Sequence, residues 1–407
     1  MDEDSDNDGL SDFQENDLGT DPLKTDSDGD LTDDLTEFIA GTDPADPESN
    51  IPEDSYYIVL PYESDQFIRN LDFDTYIKKV DVLIVIDLSG SMMEEHQNLK
   101  EGIKTTIIDG IKAEIPDIGF GLVEFGTLED KVYKLKQAVT TNSDDVKSAV
   151  DSIMSCGGAE EYHTFVLYQS ADGDGTSETI CTEYMGIIGC SAGPYLINVP
   201  EVDCSGSEGN IGGACFRNES LPVIIMASDE AFANDTWYSW NAGTEKTSSI
   251  AVDAMNSINA KFIGIDSGSS MNDFDLISQG TGSTDESGNS FNSKINSDGT
   301  GLSEKIVESV LDLKQNIRMD IMAKAVHIDN TYGVADTTEF ITNISPNAFE
   351  NTKAGQIVTF EITFKNSFYE NESNEAKVFS AKINILGDGT FFLGSKDVYI
   401  LVPGKSG

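Results

Sequence analysis

The chain has 407 residues, with 73 Asp and Glu against 25 Lys and Arg, and a formal net charge of −48. Such a charge excludes nucleic-acid binding by phosphate neutralisation. It attracts cations, and a salty or calcium-rich medium eases its self-repulsion. The hydrophobic fraction of 38% suffices for real cores, the length suggests two to four domains, and no run of 18 apolar residues exists to span a membrane.

Residues 1–55 hold 20 acids and one lysine, Lys24. Charge alone would predict disorder there, but the pattern predicts order around cations. Asp4-x-Asp6-x-Asp8-Gly9-Leu10-x-Asp12-x-x-Glu15 has the ligand spacing of an EF-hand calcium loop. Asp4, Asp6 and Asp8 supply three oxygens, Gly9 permits the sharp turn, and Leu10 offers its carbonyl. Asp12 acts through water, and Glu15 closes the sphere bidentately. A second loop, Asp26-x-Asp28-x-Asp30-Leu31-x-x-Asp34-x-x-Glu37, follows with a period of 22, and Gly19-Thr20-Asp21-Pro22 recurs as Gly41-Thr42-Asp43-Pro44. Leu31 stands where glycine is wanted, which predicts a strained, weaker site. The flanking segments are too short for EF-hand helix pairs. The repeats resemble the calcium-binding type 3 repeats of thrombospondins and similar bacterial stalks, which implies bound Ca²⁺ and a stiffened stalk over residues 1–50. The chain opens Met1-Asp2-Glu3-Asp4 without an apolar leader. The expectation is a missing N-terminus, with export inferred from domain chemistry.

Residues 51–79 read as a linker and lead-in, with short extended segments at Tyr56–Leu60 and Leu71–Tyr76. Val80 to Ile86 is then an apolar, β-branched run expected in the middle of a sheet covered on both faces. It ends in Asp87-Leu88-Ser89-Gly90-Ser91, followed by a helix to about residue 113 with Leu99, Ile103, Ile107 and Ile111 on one face. Ligands of α/β sheets sit just beyond the carboxyl ends of strands. One carboxylate and two hydroxyls at a spacing of two are hard donors for Mg²⁺, Mn²⁺ or Ca²⁺. Asp87-x-Ser89-x-Ser91 in this setting resembles the metal-ion-dependent adhesion site of a von Willebrand factor type A domain.

That resemblance extends along 80–318. Ile118–Thr127 reads as the next strand and 143–154 as a helix. Gly157-Gly158-Ala159-Glu160-Glu161 resembles the variant in which a carboxylate replaces the usual loop threonine. Glu161 matches that ligand best, with Glu160 as the alternative. Leu221–Ser228 is a buried strand, and Asp229 after it matches the distal aspartate of the adhesion site. Lys261–Ser267 is a further strand and 302–317 the final helix. The implied fold is a doubly wound α/β domain. Residues 171–220 read as an insertion with hairpins, rising near the metal face. All five cysteines (156, 181, 190, 204 and 215) fall between 156 and 215, and none forms CxxC. This fits local disulfides outside the cytosol, guessed from proximity as Cys181–Cys190 and Cys204–Cys215. Trp237, Tyr238 and Trp240 serve either a partner-binding patch or the core.

Period-two alternation over Val358–Phe364 and Phe379–Ile385, with a further strand at 398–402, predicts an all-β unit over 319–407. It resembles immunoglobulin-like sandwiches of bacterial surface proteins. The whole is therefore expected to be a multidomain extracellular or cell-surface protein. The resemblance implies that Asp87, Ser89, Ser91, Asp229 and Glu161 hold one cation whose open position takes a carboxylate of a protein or surface ligand. Catalysis finds little support: there are three histidines, no HExxH and no Gly-x-Ser-x-Gly. His96 is expected to be solvated and His163 structural. The alternative reading is a calcium-stiffened structural protein with a degenerate adhesion site.

Overall fold

The computed structural model describes residues 4–6, 8–51, 55–126, 132–153, 162–180, 195–232, 246–328, 333–373 and 376–404. Each acidic loop leads into one short helix, α1 (Asp12–Leu18) and α2 (Asp34–Ala40). Ser11 and Gln14 form a capping box on α1, and Asp33 caps α2. Gly19 and Gly41, both left-handed, end the two helices.

Strands β1 (Ser55–Val59), β2 (Phe67–Asp74) and β3 (Lys79–Asp87) follow. Helix α3 (Met93–Gly102) runs through a π turn (Ile103–Ile107) into α4 (Ile108–Glu114). Then come β4 (Asp117–Phe125), β5 (Lys134–Thr140), α5 (Ser143–Asp151), α6 (His163–Asp172) and the hairpin β6 (Thr176–Ile180) and β7 (Tyr195–Val199). The α/β unit is completed by β8 (Leu221–Ser228), α7 (Ser248–Ser257), β9 (Lys261–Asp266), α8 (Met271–Gly280), β10 (Ser293–Lys294) and α9 (Leu302–Asn316).

Six strands form one sheet in the order β10-β9-β8-β3-β4-β5, parallel except for β5. Helices cover both faces, as the unbroken apolar run of β3 requires. Val82, Ile84 and Ile86 point into a cluster with Ile103, Ile107, Ile111, Val146, Ile306 and Val310. Leu83 and Val85 point the other way, against Phe165, Val166, Met255 and Phe274. β8 alternates likewise, with Val223 and Ile225 on the first face and Ile224 and Met226 on the second. This is the expected doubly wound arrangement. Successive strands move outward from β3 to β4 and β5, and the chain then crosses to β8, β9 and β10. The switch point falls between β3 and β8.

The β-rich part uses β11 (Arg318–His327), β12 (Ile341–Ser345), β13 (Phe349–Lys353), β14 (Ile357–Phe364), β15 (Lys377–Gly387) and β16 (Phe391–Val402). β1 and β2 lie at the extended segments expected within the linker and lead-in over 51–79, but their partners lie within 319–407, so the β-rich part is not the sequence-continuous immunoglobulin-like module expected there. β1 pairs in parallel with β16, completing a sheet of order β1-β16-β15-β11-β13. β2 pairs with β14 along its whole length, from Phe67 opposite Phe364 to Asp74 opposite Ile357. The second sheet has the order β12-β14-β2. Side chains of both sheets, among them Phe73, Phe360 and Phe364 with Phe379, Ile383 and Val398, share one apolar cluster. The α/β unit is thus inserted between β2 and β11.

The insertion forms a hairpin as expected, and Cys204 is bonded to Cys215. Cys156, Cys181 and Cys190 lie outside the described residues, as do the Trp237–Trp240 segment and Glu160 and Glu161. The disulfide-bonded loop does not rise near the metal face. Arg217, two residues beyond it, bonds Asp81 and Asp117 at the amino ends of β3 and β4. Helix α6 begins beside the carboxyl end of β8, where His163 meets Ser228. Its ten residues, about 15 Å of helix, carry the chain to the opposite end of the sheet before the insertion begins. Among the described residues no helix is long and apolar enough to cross a membrane.

Candidate metal centres

The first acidic loop closes on itself through backbone amides that its carboxylates accept. Asp8 N donates to Asp6 Oδ1 at 3.1 Å, Gly9 N to Asp4 Oδ2 at 3.2 Å, and Leu10 N to Asp8 Oδ1 at 2.7 Å. Gly9 has φ +106°, the left-handed turn predicted for it. One oxygen each from Asp4, Asp6 and Asp8 lie within 4.8 Å of one another. A second cluster joins Asp8, Glu15 and Asp34 within the same limit, and all three are buried. Glu15 is fully buried, and neither of its carboxylate oxygens has a hydrogen-bond partner. Asp8 Oδ2 and Asp6 Oδ2 are likewise buried without one. Orphaned buried carboxylates are costly unless paired or bound to a cation. Burial first, and neighbouring carboxylates second, push Glu15 up to about 7. Asp8 is pushed up to about 7 by burial, against the opposing bond from Leu10 N.

The second loop repeats the closure. Asp26 Oδ1 accepts from Gly29 N at 2.7 Å and Asp26 Oδ2 from Leu31 N at 3.1 Å. Asp28 and Asp30 accept from the amides two residues on. Asp26, Asp28 and Asp30 converge within 4.8 Å. Leu31 takes φ +85° with its side chain 94% exposed, the strain that its position predicts. Glu37 is buried with Oε2 unpartnered, and burial pushes it up to about 7.

Asp12 and Asp34, the ninth residues of the two loops, are placed differently. Asp12 accepts from Ser5 N and Ser5 Oγ, each at 2.9 Å, and joins neither carboxylate cluster. Asp34, expected in the second loop, accepts from Ser27 N and Oγ there but reaches the Asp8 and Glu15 cluster of the first. Linear spacing assigns each acid to its own loop, so it does not reveal a cluster that crosses the two repeats.

The centre at the end of β3 occupies the switch point of the sheet, where both flanking strands present polar ends. Asp87 is fully buried and Ser89 nearly so, whereas Ser91 is exposed and Asp229 half-buried. Ser89 N donates to Asp87 Oδ1 at 2.8 Å. Ser89 Oγ and Ser91 Oγ lie 3.1 Å apart, and Ser91 Oγ donates to Asp229 Oδ1 at 3.2 Å. Asp87, Ser89, Ser91 and Asp229 are therefore brought together, with the outermost two at the surface.

Sequence reasoning missed much of what holds this centre. Ser228 is fully buried, and its Oγ donates to Asp87 Oδ2 at 2.9 Å while meeting His163 Nε2 at 2.8 Å. His163 stacks on Phe232 and meets Phe125 edge-on. His96, expected to be solvated, is 6% exposed, and its Nε2 bonds the Asp87 carbonyl. The first turn of α3 folds back over the strand end, so the fourth residue of that helix faces inward. Burial lowers the pKa of both histidines, which favours neutral rings that orient Asp87 and Ser228. Glu95 is also buried, and burial raises its carboxyl. Fully buried Asp266, at the end of β9, accepts from Gly268 N and Ser270 N and pairs with Lys294. The signal for these residues is tertiary, not periodic.

Residues 4–25 match the family described as the bacterial TSP3 repeat. No curated protein matches the sequence. Among solved structures, the chain is similar to a von Willebrand factor type A protein from Catenulispora acidiphila. The identity is 12% and the TM-score 0.39, covering 86% of this chain and 72% of that one. It is also similar to proximal thread matrix protein 1 from the mussel byssus, in a structure with a zinc-occupied MIDAS motif. There the identity is 14% and the TM-score 0.38, over 63% of this chain and 52% of that one. A second crystal form of the mussel protein matches at 12% identity and a TM-score of 0.35, over 59% of this chain and 48% of that one. The chain thus spans about half the length of the mussel protein.

Proposed function

We propose that this chain is a calcium-binding structural protein of the extracellular or cell-surface space, whose acidic N-terminal repeats are folded by the cation. The observation that carries this reading is Glu15: fully buried, with both oxygens unpartnered, beside Asp8 and Asp34. Hard carboxylate oxygens at that density suit Ca²⁺. Asp4, Asp6, Asp8 and Glu15 serve the first loop and Asp26, Asp28, Asp30 and Glu37 the second. A net charge of −48 raises the local cation concentration.

The second reading is cation-dependent adhesion at the β3 end, favoured by the hydrogen-bonded run from Ser89 through Ser91 to Asp229. Asp87, Ser89, Ser91 and Asp229, with Glu161, would hold Mg²⁺, Mn²⁺ or Ca²⁺. A carboxylate of a protein or surface partner would complete the shell. This is binding, not turnover. Calorimetric titration of metal-stripped protein with Mg²⁺ and then Ca²⁺, beside Asp87→Ala and Glu15→Gln, tests both readings. The expected result is a calcium class weakened in Glu15→Gln and retained in Asp87→Ala. No calcium heat in the wild type would sink the first reading. Identical isotherms for wild type and Asp87→Ala would sink the second.

A further inference from the structure

We infer that the cation of the first acidic loop is shared between the two repeats, with Asp34 of the second repeat as one of its ligands in place of Asp12. The inference rests on the calcium reading above and deepens it. Position nine of each loop is Asp12 in the first and Asp34 in the second. An isolated loop would use its own. In the folded chain, one oxygen each from Asp8, Glu15 and Asp34 lie within 4.8 Å; Asp12 and Asp34 each accept from the serine of their own loop, Ser5 and Ser27, but among the described residues only Asp34 also joins such a cluster.

Three observations support a site rather than a chance meeting of acids. Glu15 is fully buried with both oxygens unpartnered, and its carboxylate belongs to this cluster. Three buried carboxylates at this spacing repel strongly unless a cation or protons intervene. The repeats also touch at the same place: a β-carbon on Gly9 would come within 2.8 Å of Leu35 Cδ2. Gly9 thus serves the turn and also lets the second repeat approach the first. Asp34 opens α2, and Leu35 beside it packs with Leu10. One ion at Asp8, Glu15 and Asp34 therefore fixes the position of α2 against the first loop. The second repeat is not an independent calcium module but a lid of acid and leucine on the first.

The test uses the full chain and Ca²⁺ alone. Site number and affinity are measured by calorimetry for the wild type, Glu15→Gln, Asp34→Asn, Glu37→Gln, Asp12→Asn and the double variant Glu15→Gln/Asp34→Asn. A shared ion predicts that Glu15→Gln and Asp34→Asn weaken the same site, each on the order of tenfold or more. The double variant then loses no further site, and Asp12→Asn keeps wild-type affinity at that site. A site lost in common by Asp34→Asn and Glu37→Gln, with Glu15→Gln adding a second, overturns the inference. So does loss of the Glu15 site in Asp12→Asn. Asp12→Asn decides the matter even where Asp34→Asn unfolds the repeats, because Asp12 is partly exposed and Asn keeps an acceptor for Ser5. Absence of calcium binding in the wild type would instead remove the calcium reading itself.

Discussion

Arg217 shows how one side chain holds the far end of the sheet. Asp81, near the start of β3, is fully buried. Its Oδ1 accepts from Arg217 Nε at 2.7 Å, and its Oδ2 accepts from Arg217 N at 2.6 Å and Ser220 Oγ at 2.7 Å. Arg217 also reaches Asp117 at 2.6 Å. Gly119 leaves room for this pair, since a β-carbon there would meet Asp81 Oδ1 at 2.6 Å. Arg217→Ala strands a buried carboxylate, which costs about 3–5 kcal/mol. Denaturant unfolding should show that loss, and a cost below about 1 kcal/mol would refute the assignment. The titration of Glu15 and Glu37 gives a second prediction. Both are pushed up to about 7 from an ordinary 4.5, chiefly by burial. Without cations the folded repeats therefore bind more protons than the unfolded chain between those values. Their contribution to stability is full below pH 4.5 and is lost as pH rises through about 7. In chelator, the repeats should melt more readily at pH 8 than at pH 5. Excess calcium should reverse the trend, because the ion replaces the protons. A metal-free transition that rises with pH would contradict the burial of these acids.

At the scale of elements, the loops display what each position demands. Gly9 and Leu31 occupy the same place in the two repeats, with φ +106° and +85°. Leu31 is solvated, so its side chain offers no packing in return for a left-handed backbone. Leu31→Gly should relieve about 1–2 kcal/mol of strain and tighten calcium at the second loop, as calorimetry would register. Weaker binding would mean that the glycine's added unfolded-state freedom outweighs the strain. This loop was legible in sequence because its geometry is local: spacing brings Asp26, Asp28 and Asp30 together, and the missing glycine marks the left-handed Leu31. β3 and β8 were legible for a related reason, since a strand covered on both faces must be apolar throughout. The partners of β1 and β2 were not legible. Their pairing with β16 and β14 spans more than 280 residues of chain, and alternation records which face of a strand is buried, not which strand lies beside it. The same limit hid the burial of His96 and the bonds of Ser228 to Asp87 and His163, which depend on how a helix start and a strand end meet. It also hid Asp34, whose cluster crosses a repeat boundary.

For the molecule as a whole, the repeats do not project as a free stalk. Leu10 and Leu35 are buried against Leu401 of β16, with Leu18, Ile39, Tyr57, Val59, Val378 and Tyr399 around them. Tyr57 and Tyr399 stack with ring centroids 4.5 Å apart beside this contact. On the calcium reading proposed above, the cation and this docking should be linked. Leu10 follows Asp8 and Gly9 in the first loop and Leu35 follows Asp34 at the start of α2, so the closed acidic loops are continuous with the apolar pair that meets the sheet. Residues 43–51, between repeat and sheet, are turns stitched by Ser49 Oγ to Asp43 N and by short backbone bonds. Such a segment cannot hold the repeats down by itself. Leu35→Ala removes the central contact, with a cost of about 2–5 kcal/mol typical of a buried leucine, more than so small a contact can spare. Small-angle scattering should then find wild-type protein compact in calcium and extended in chelator, and Leu35→Ala extended in both. Protease sensitivity over residues 43–51 should follow the same pattern. A wild-type scattering curve unchanged by chelation would separate docking from the cation, leaving the leucine contact as an ordinary interdomain packing. A curve that extends on chelation, with Leu35→Ala extended even in calcium, would make the acidic repeats a calcium-operated clasp on the sheet formed by β1 and β16.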